Sequence, residues 1–260
     1  MSRYYHVWIN GKGIQDIDPT LTVTGVEEKA PELELQTSAN AKYDGTHVTG
    51  FFRRSLEVEV KLWCKERRME RRARLLDQIR EWADDGVLRV NYRPHQQLQV
   101  IRTALPSFGG EWKWAEEISL GFTAYGVPFW QDDTLTRTQV SGTQISAGIR
   151  PPGTAERCFL RWSLTNRSGS SLTSLTVKNA DNGTFITLSG ISVATGGLVA
   201  ADYDLNGYLS IKDGNGNTLL PKRTAASYDD VVLNQRSGNT IEITASCEVD
   251  GVISARGLYL

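Results

Sequence analysis

Histidine is scarce in this chain: three among 260 residues, His6, His47 and His95, all in the first half and far apart. None stands in H-E-x-x-H or another metal-binding spacing, and there is no G-x-S-x-G elbow, Walker loop or G-x-G-x-x-G fingerprint. The adjacent carboxylates Glu116-Glu117 and Asp84-Asp85 read as solvated strand-end or turn residues. No catalytic constellation emerges, and the expectation is a protein that is not an enzyme and needs no cofactor. Cysteine is equally thin. Cys64, Cys158 and Cys247 are odd in number, widely spaced and without C-x-x-C, which excludes a disulfide framework or a structural zinc site and leaves buried thiols. No apolar run approaches the ~18 residues a membrane helix needs, so no membrane partner is expected. The opening "MSRYYHVWINGKG" lacks an apolar core, so no secretory leader is expected. Charge of one sign is also missing. The formal net charge is -1, against the basic excess that nucleic-acid binders carry.

What is present divides into two halves. In the first, "SLEVEVKLW" alternates strictly, with Leu56, Val58, Val60 and Leu62 on one side and Glu57, Glu59 and Lys61 on the other, the pattern of a half-buried strand. "EEISLGFTAY" repeats it with Ile118, Leu120, Phe122 and Ala124, and "VLRVNYRP" and "QLQVIRTALP" are shorter strands, each closed by a proline. Trp112, Trp114, Phe129 and Trp130 cluster around one strand and read as core. From about Asp133 Gly, Ser, Thr and Asn become dense, and charged residues thin from 38 in residues 1–133 to 21 in residues 134–260. Short strands such as "RCFLRWSL", "SLTSLTVKN" and "NTIEITASCEV" follow one another without a helical period, as in a sandwich or barrel. The expected class is mainly β: an α+β N-terminal domain over 1–133, sandwich- or barrel-like with one amphipathic helix, and a C-terminal β-sandwich over 134–260. The boundary is placed in "WQDDTLTRTQVSGTQISAGIRPPG", where polar residues and Pro151-Pro152 break both periods.

The helix is expected over 66–84, ending near Gly86 as a C-cap. On a helical wheel Met69, Ala73, Leu75, Leu76, Ile79, Trp82 and Ala83 share one face, with Met69, Leu76, Ile79 and Trp82 as its core anchors. Opposite run an acidic stripe (Glu66, Glu70, Asp77, Glu81) and a basic one (Arg67, Arg71, Arg74). The adjoining acids cancel a phosphate-seeking field, and the lone aromatic, Trp82, lies on the apolar side, so the segment reads as core-covering rather than nucleic-acid binding. Its outer arginines stay available for ion pairs with a neighbouring subunit.

"DYDLNGYLSIKD" supports two readings. Asp202, Asp204, Asn206 and Asp213 fall at positions one, three, five and twelve of a calcium-binding loop, with Gly207 at six. The flanks are β-like, and Asn206-Gly207 is a hairpin turn in its own right. Trp162, Tyr203 and Tyr208 are the candidates for stacking on sugar rings if the second half recognises carbohydrate.

One ordered series carries a resemblance: "FFRRSLEVEVKLWCKERRMERRARLLDQIREWA", then "LRVNYRPHQQLQVIRTALP", then "EWKWAEEISLGFTAYGVPFWQDD". A strand, a helix with R-x-x-L-L-x-x-I-x-x-W, a strand ending Y-R-P and a strand closing P-F-W resemble the N-terminal domain of the distal tail proteins (Dit) of long-tailed bacteriophages, over about residues 5 to 133. "YDDVVL" and "SGNTIEIT" resemble the C-terminal, galectin-like β-sandwich of that family. The resemblance implies a structural hub: a homohexameric ring at the distal tip of the virion tail, synthesised in the host bacterial cytoplasm and released by lysis. Its partners would be the tail tube protein, a tail-tip or tail-associated protein and a receptor-binding protein. A galectin-type sugar site uses a histidine, an arginine and a stacking tryptophan; the second half has no histidine and only Trp162. A carbohydrate-binding β-sandwich recognising host-surface sugars is the competing function.

Overall fold

The computed structural model describes residues 5–39, 46–105 and 115–260. The first unit, Met1–Trp130 with Leu260, contains strands β1 (Val7–Ile9), β2 (Lys12–Gly13), β3 (Thr22–Lys29), β4 (Leu33–Ala39), β5 (Thr46–Arg53) and β6 (Leu56–Lys65), helix α1 (Met69–Trp82), and strands β7 (Gly86–Val90), β8 (Gln96–Ala104) and β9 (Ala115–Ala124). The second, Gln131–Tyr259, contains most of β10 (Trp130–Ile149), then β11 (Arg157–Asn166), β12 (Leu172–Asn179), β13 (Phe185–Val193), β14 (Leu198–Tyr203), β15 (Leu209–Asp213), β16 (Val232–Asn234) and β17 (Asn239–Tyr259). The fold is mainly β, with α1 the one α-helix among the described residues.

In the first unit β6 is the central strand of an antiparallel layer. It pairs with β3 on one side and with β9 on the other, in register from Leu56↔Ala124 to Lys65↔Ala115. The alternation does what period two requires. Leu56, Val58, Val60, Leu62 and Cys64 are buried, as are Ile118, Leu120 and Phe122 opposite them, while Glu57 is exposed. A second layer runs β2-β1-β7-β8, with Val7, Ile9, Leu88, Val90, Leu98 and Val100 inside. Strand β8 belongs to both layers, pairing with β7 through Leu98–Val100 and with β9 from Ile101 on. That shared strand wraps the two sheets around one core.

Helix α1 is shorter than 66–84 and its buried face is rotated from the expected one. Leu75, Leu76, Ile79, Trp82 and Ala83 are buried, and Trp82 Nε1 donates to the Lys12 carbonyl at 2.8 Å, tying the helix to β2. Met69 is 70% exposed and Ala73 is exposed, while Arg72 is 6% exposed. The correction at Met69 follows from helix geometry. Side chains lean toward the helix N-terminus, so a first-turn residue projects past the helix end, where no core lies beneath it. Gly86 does not cap α1: it opens β7. Arg102 closes the helix instead, its Nη1 donating to the Arg80 and Ala83 carbonyls at 2.9 and 2.7 Å, groups a helix end leaves without partners. Gly86 is needed for close approach, since a Cβ there would meet the Asn10 side chain, which holds β7 by accepting from Val87 N at 2.9 Å.

The second unit is built on β17. Its first part pairs with β12 (Ile241–Ala245) and its later part with β11 (Val249–Ala255), and the sheet runs β15-β14-β11-β17-β10. Strand β13 extends β12, and β16 pairs with the start of β11. The polar stretch expected to form an interdomain break is β10, a strand of 20 residues. Its Thr, Val, Ile and Ser residues suit a pleated, half-exposed surface, and that preference overrides the loop-like composition. Buried amides fix the loops. Asn179 Nδ2 donates to the Val232 carbonyl (2.8 Å) and to Asn239 Oδ1 (3.1 Å). Asn166 Nδ2 donates to the Ser170 and Val193 carbonyls at 2.8 and 2.9 Å. Gln235 bonds both the Leu258 N–H and its carbonyl. All three side chains satisfy buried backbone groups that strand pairing leaves over.

Candidate assembly surfaces

Strands β4 and β5 stand outside both layers as a two-stranded antiparallel ribbon, in register from Leu33↔Arg53 to Ala39↔Thr46 with a bulge between Gln36 and Thr37. Directly opposed residues and those two apart share a face. Leu33, Leu35 and Phe51 therefore lie together, and Val48, opposite Thr37 beyond the bulge, continues that face. Phe52, opposite Glu34, lies on the other. All five apolar side chains are about half exposed, from 45% for Phe52 to 57% for Val48. The ribbon is rooted by backbone and ion-pair contacts: Arg54 N donates to the Glu32 carbonyl at 2.9 Å and Arg54 Nε to Glu34 at 2.6 Å. A lone two-stranded ribbon is marginal in water and needs something against one face.

Immediately before the ribbon, β3 ends in a polar cluster. Glu28 accepts from Tyr92 Oη (2.6 Å), Arg93 Nη2 (2.9 Å), Arg93 Nε (3.2 Å) and Trp130 Nε1 (2.9 Å). The Arg93 guanidinium lies 5.1 Å from the centre of the Trp130 ring, which is fully buried. Burial, and after it the Glu28 carboxylate, push the Tyr92 hydroxyl well above its ordinary pKa, so it stays a donor. The cluster fixes the end of β3 against the loop after β7.

The start of α1 presents a second surface. Arg68, Met69, Glu70, Arg71 and Arg74 line a shallow depression. Arg71 is engaged, by Asp18 at 3.3 Å and Glu66 at 3.1 Å. The guanidiniums of Arg68 and Arg74 have no carboxylate partner among the described residues. Met69 lies exposed in the same depression.

The remaining sequence candidates are not brought into one site. Trp162 is 2% exposed and Tyr203 3%. Trp162 sits in β11 opposite Ala201 and Ile253, and Tyr203 stacks on Phe159 with centroids 4.7 Å apart. Both are core residues, which corrects their reading as sugar platforms; Tyr208, 74% exposed, lies in the turn after β14. The calcium-loop reading is corrected too. Asp202 pairs with Arg161 at 2.5 Å. Asp204 Oδ1 accepts from the Asn206 and Tyr208 N–H groups at 2.9 Å, closing an Asn-Gly hairpin in which Gly207 has φ +86°. Asp213, opposite Val199, is four pairs from the Tyr203↔Leu209 end of the ladder, on the order of 13 Å along the strand. A hairpin register separates the carboxylates that a loop would converge. Among the described residues no group of three or more His, Cys, Asp or Glu forms a metal-binding cluster, and Trp112, Trp114 and the His47 side chain lie outside them. The ribbon is the feature sequence reading missed; its one trace was the pairing of "LEL" with "FF" beside a glycine.

No protein-family model and no curated protein matches the sequence. Two chains of the phage p2 baseplate in its activated conformation, one with strontium and one with calcium, align over 97% of this chain and 98% of theirs at 10% and 11% identity and TM-score 0.49, a likeness too loose to support an inference. The Dit protein of phage SPP1, described as a paradigm of the hub adsorption apparatus in phages infecting Gram-positive bacteria, aligns over 99% of this chain and 100% of its own at 15% identity and TM-score 0.74, and this chain shares its fold from end to end.

Proposed function

We propose that this chain is a structural hub protein of a phage tail, a virion component that joins the tail tube to the tail-tip and receptor-binding proteins and catalyses no reaction. The observation that carries the reading is the end-to-end likeness to the SPP1 Dit hub, which spans both units rather than a widespread single domain. The exposed β4–β5 ribbon supports it, because a patch of this kind on a monomer marks a surface made for assembly. In this reading the first unit forms a closed homohexameric ring and the second, galectin-like unit carries other tail-tip parts. The carbohydrate alternative has no observation in its favour, since two of its three aromatic candidates are core residues.

The test is the mass and shape of the full chain. Light scattering across a concentration series, with negative-stain imaging at the top of it, is expected to show one discrete oligomer with a central hole. A chain that stays monomeric throughout would overturn the proposal.

A further inference from the structure

We infer that the β4–β5 ribbon of one copy seats on the start of α1 of the next copy, with Phe51 and Leu35 packed over Met69 and between Arg68 and Arg74. The inference rests on the hub reading above and names the surface that joins one subunit to its neighbour.

Three observations support it. The first is area. Leu33, Leu35, Val48 and Phe51, on one face and each about half exposed, present on the order of 400 Å² of apolar surface. With the exposed Thr37 on the same face, it is a contiguous patch of the size that marks an interaction surface and a little over half of the roughly 800 Å² per partner of a stable interface. The second is chemistry. A thioether and unpaired guanidiniums are the groups that pack best on aromatic rings. Here an exposed methionine shares a depression with two arginines that have no carboxylate partner among the described residues, on the same chain that exposes Phe51. Glu32, exposed at the root of the ribbon, supplies an acid for one of those arginines. The third is geometry. The ribbon and the helix start are different patches of one chain, so the contact is head-to-tail, the kind that generates rings when its rotation closes. A ribbon that paired with the same ribbon of a second copy would instead stop at a dimer.

The experiment is site-directed cross-linking with the full chain. Phe51→Cys and Met69→Cys are made separately; the three native cysteines are buried and give little background. Each variant is treated alone with a short bis-maleimide, and then the two are mixed before concentration and treated together. A product of twice the chain mass in the mixture, absent from either variant alone, is expected, and the double variant in one chain should give a ladder ending at the oligomer size. Cross-linking of Phe51→Cys with itself would show ribbon-to-ribbon pairing and overturn the inference. A discrete ring by light scattering with no cross-link in the mixture would overturn it while leaving the hub reading standing. A chain monomeric at every concentration would overturn both.

Discussion

Replacing Glu28 with alanine removes the acceptor shared by Tyr92, Arg93 and Trp130 at the end of β3. The Glu28 and Arg93 side chains are 19% and 24% exposed, so this is a largely buried ion pair. Breaking a fully buried pair costs about 3–5 kcal/mol, most of it the desolvation of the charge left behind. Partial exposure returns some water to Arg93, and the orphaned Trp130 N–H adds about 1 kcal/mol or more. We expect a loss of about 2–4 kcal/mol, or roughly 10 °C in the melting of a unit of this size. Glu28→Gln keeps one acceptor oxygen and should lose about half as much. The control is Glu57→Ala, which breaks the Lys29 pair between side chains 54% and 68% exposed and should cost under about 1 kcal/mol. Differential scanning calorimetry separates the cases. Should Glu28→Ala melt no earlier than Glu57→Ala, the cluster is not holding β3 and the ribbon's root needs another anchor.

The second unit is the place to test close approach: Gly251 lies in β17 opposite Leu164, where a Cβ would collide with the Ser163 carbonyl. Gly251→Ala should therefore cost more than about 3 kcal/mol in a denaturant titration, and a loss below 1 kcal/mol would mean the strand shifts freely. Burial pushes the Cys158 thiol up to about 12, so the folded chain should resist a thiol reagent at pH 8 and react only on unfolding; labelling at the rate of a free thiol in native buffer would refute its burial. Burial also raises the Asp230 carboxyl above its ordinary 3.8. A raised folded value favours the fold below the unfolded value, and that contribution is lost as pH rises through the folded one. Asp230→Asn should thus raise stability at pH 7 by no more than about 1 kcal/mol and flatten the decline above pH 4, and a destabilised variant would show instead that the carboxylate is needed.

The parts of this fold that could be read from sequence are those whose pattern is local. Strand β6 declares itself because its alternating residues face a core and water in turn, and the Asn206-Gly207 turn because only a left-handed backbone fits that hairpin. The helix was legible as an element, but its exact face was not: Arg72 and Met69 exchange places because the wheel knows the period and not where the core ends. Strand β10 escaped notice because Thr, Ser and Gln serve equally in a loop and on a half-exposed strand. The buried amides were out of reach for a different reason. Asn179 is structural through the carbonyl of Val232, 53 residues away, and nothing near Asn179 records that partner. The ribbon was hidden because its apolar residues lie on both faces, giving no period.

The distribution of exposed apolar side chains carries the assembly argument further. In the second unit they are few and separate: Tyr208 in a turn, Leu220, and Tyr228, which already packs edge-on against Phe185 at 5.6 Å. In the first unit Leu33, Leu35, Val48 and Phe51 share one face of the ribbon, while Tyr5, Met69, Tyr92, Ile101, Leu105 and Tyr125 are exposed elsewhere. Only the gathered arrangement can be relieved in one step, since a contiguous patch can be covered at once by another surface. A net charge of -1 supplies almost no long-range repulsion to oppose that covering. The ribbon is held by two strands and a surface ion pair, and a lone two-stranded ribbon is marginal in water. Assembly would then be coupled to ordering. Amide exchange across β4 and β5 should slow by orders of magnitude between dilute and assembled samples while β6, already central in its sheet, changes little. Equal protection of β4, β5 and β6 at the lowest concentration would show that the ribbon needs no neighbour, and the physical reason for assigning assembly to this unit would be gone.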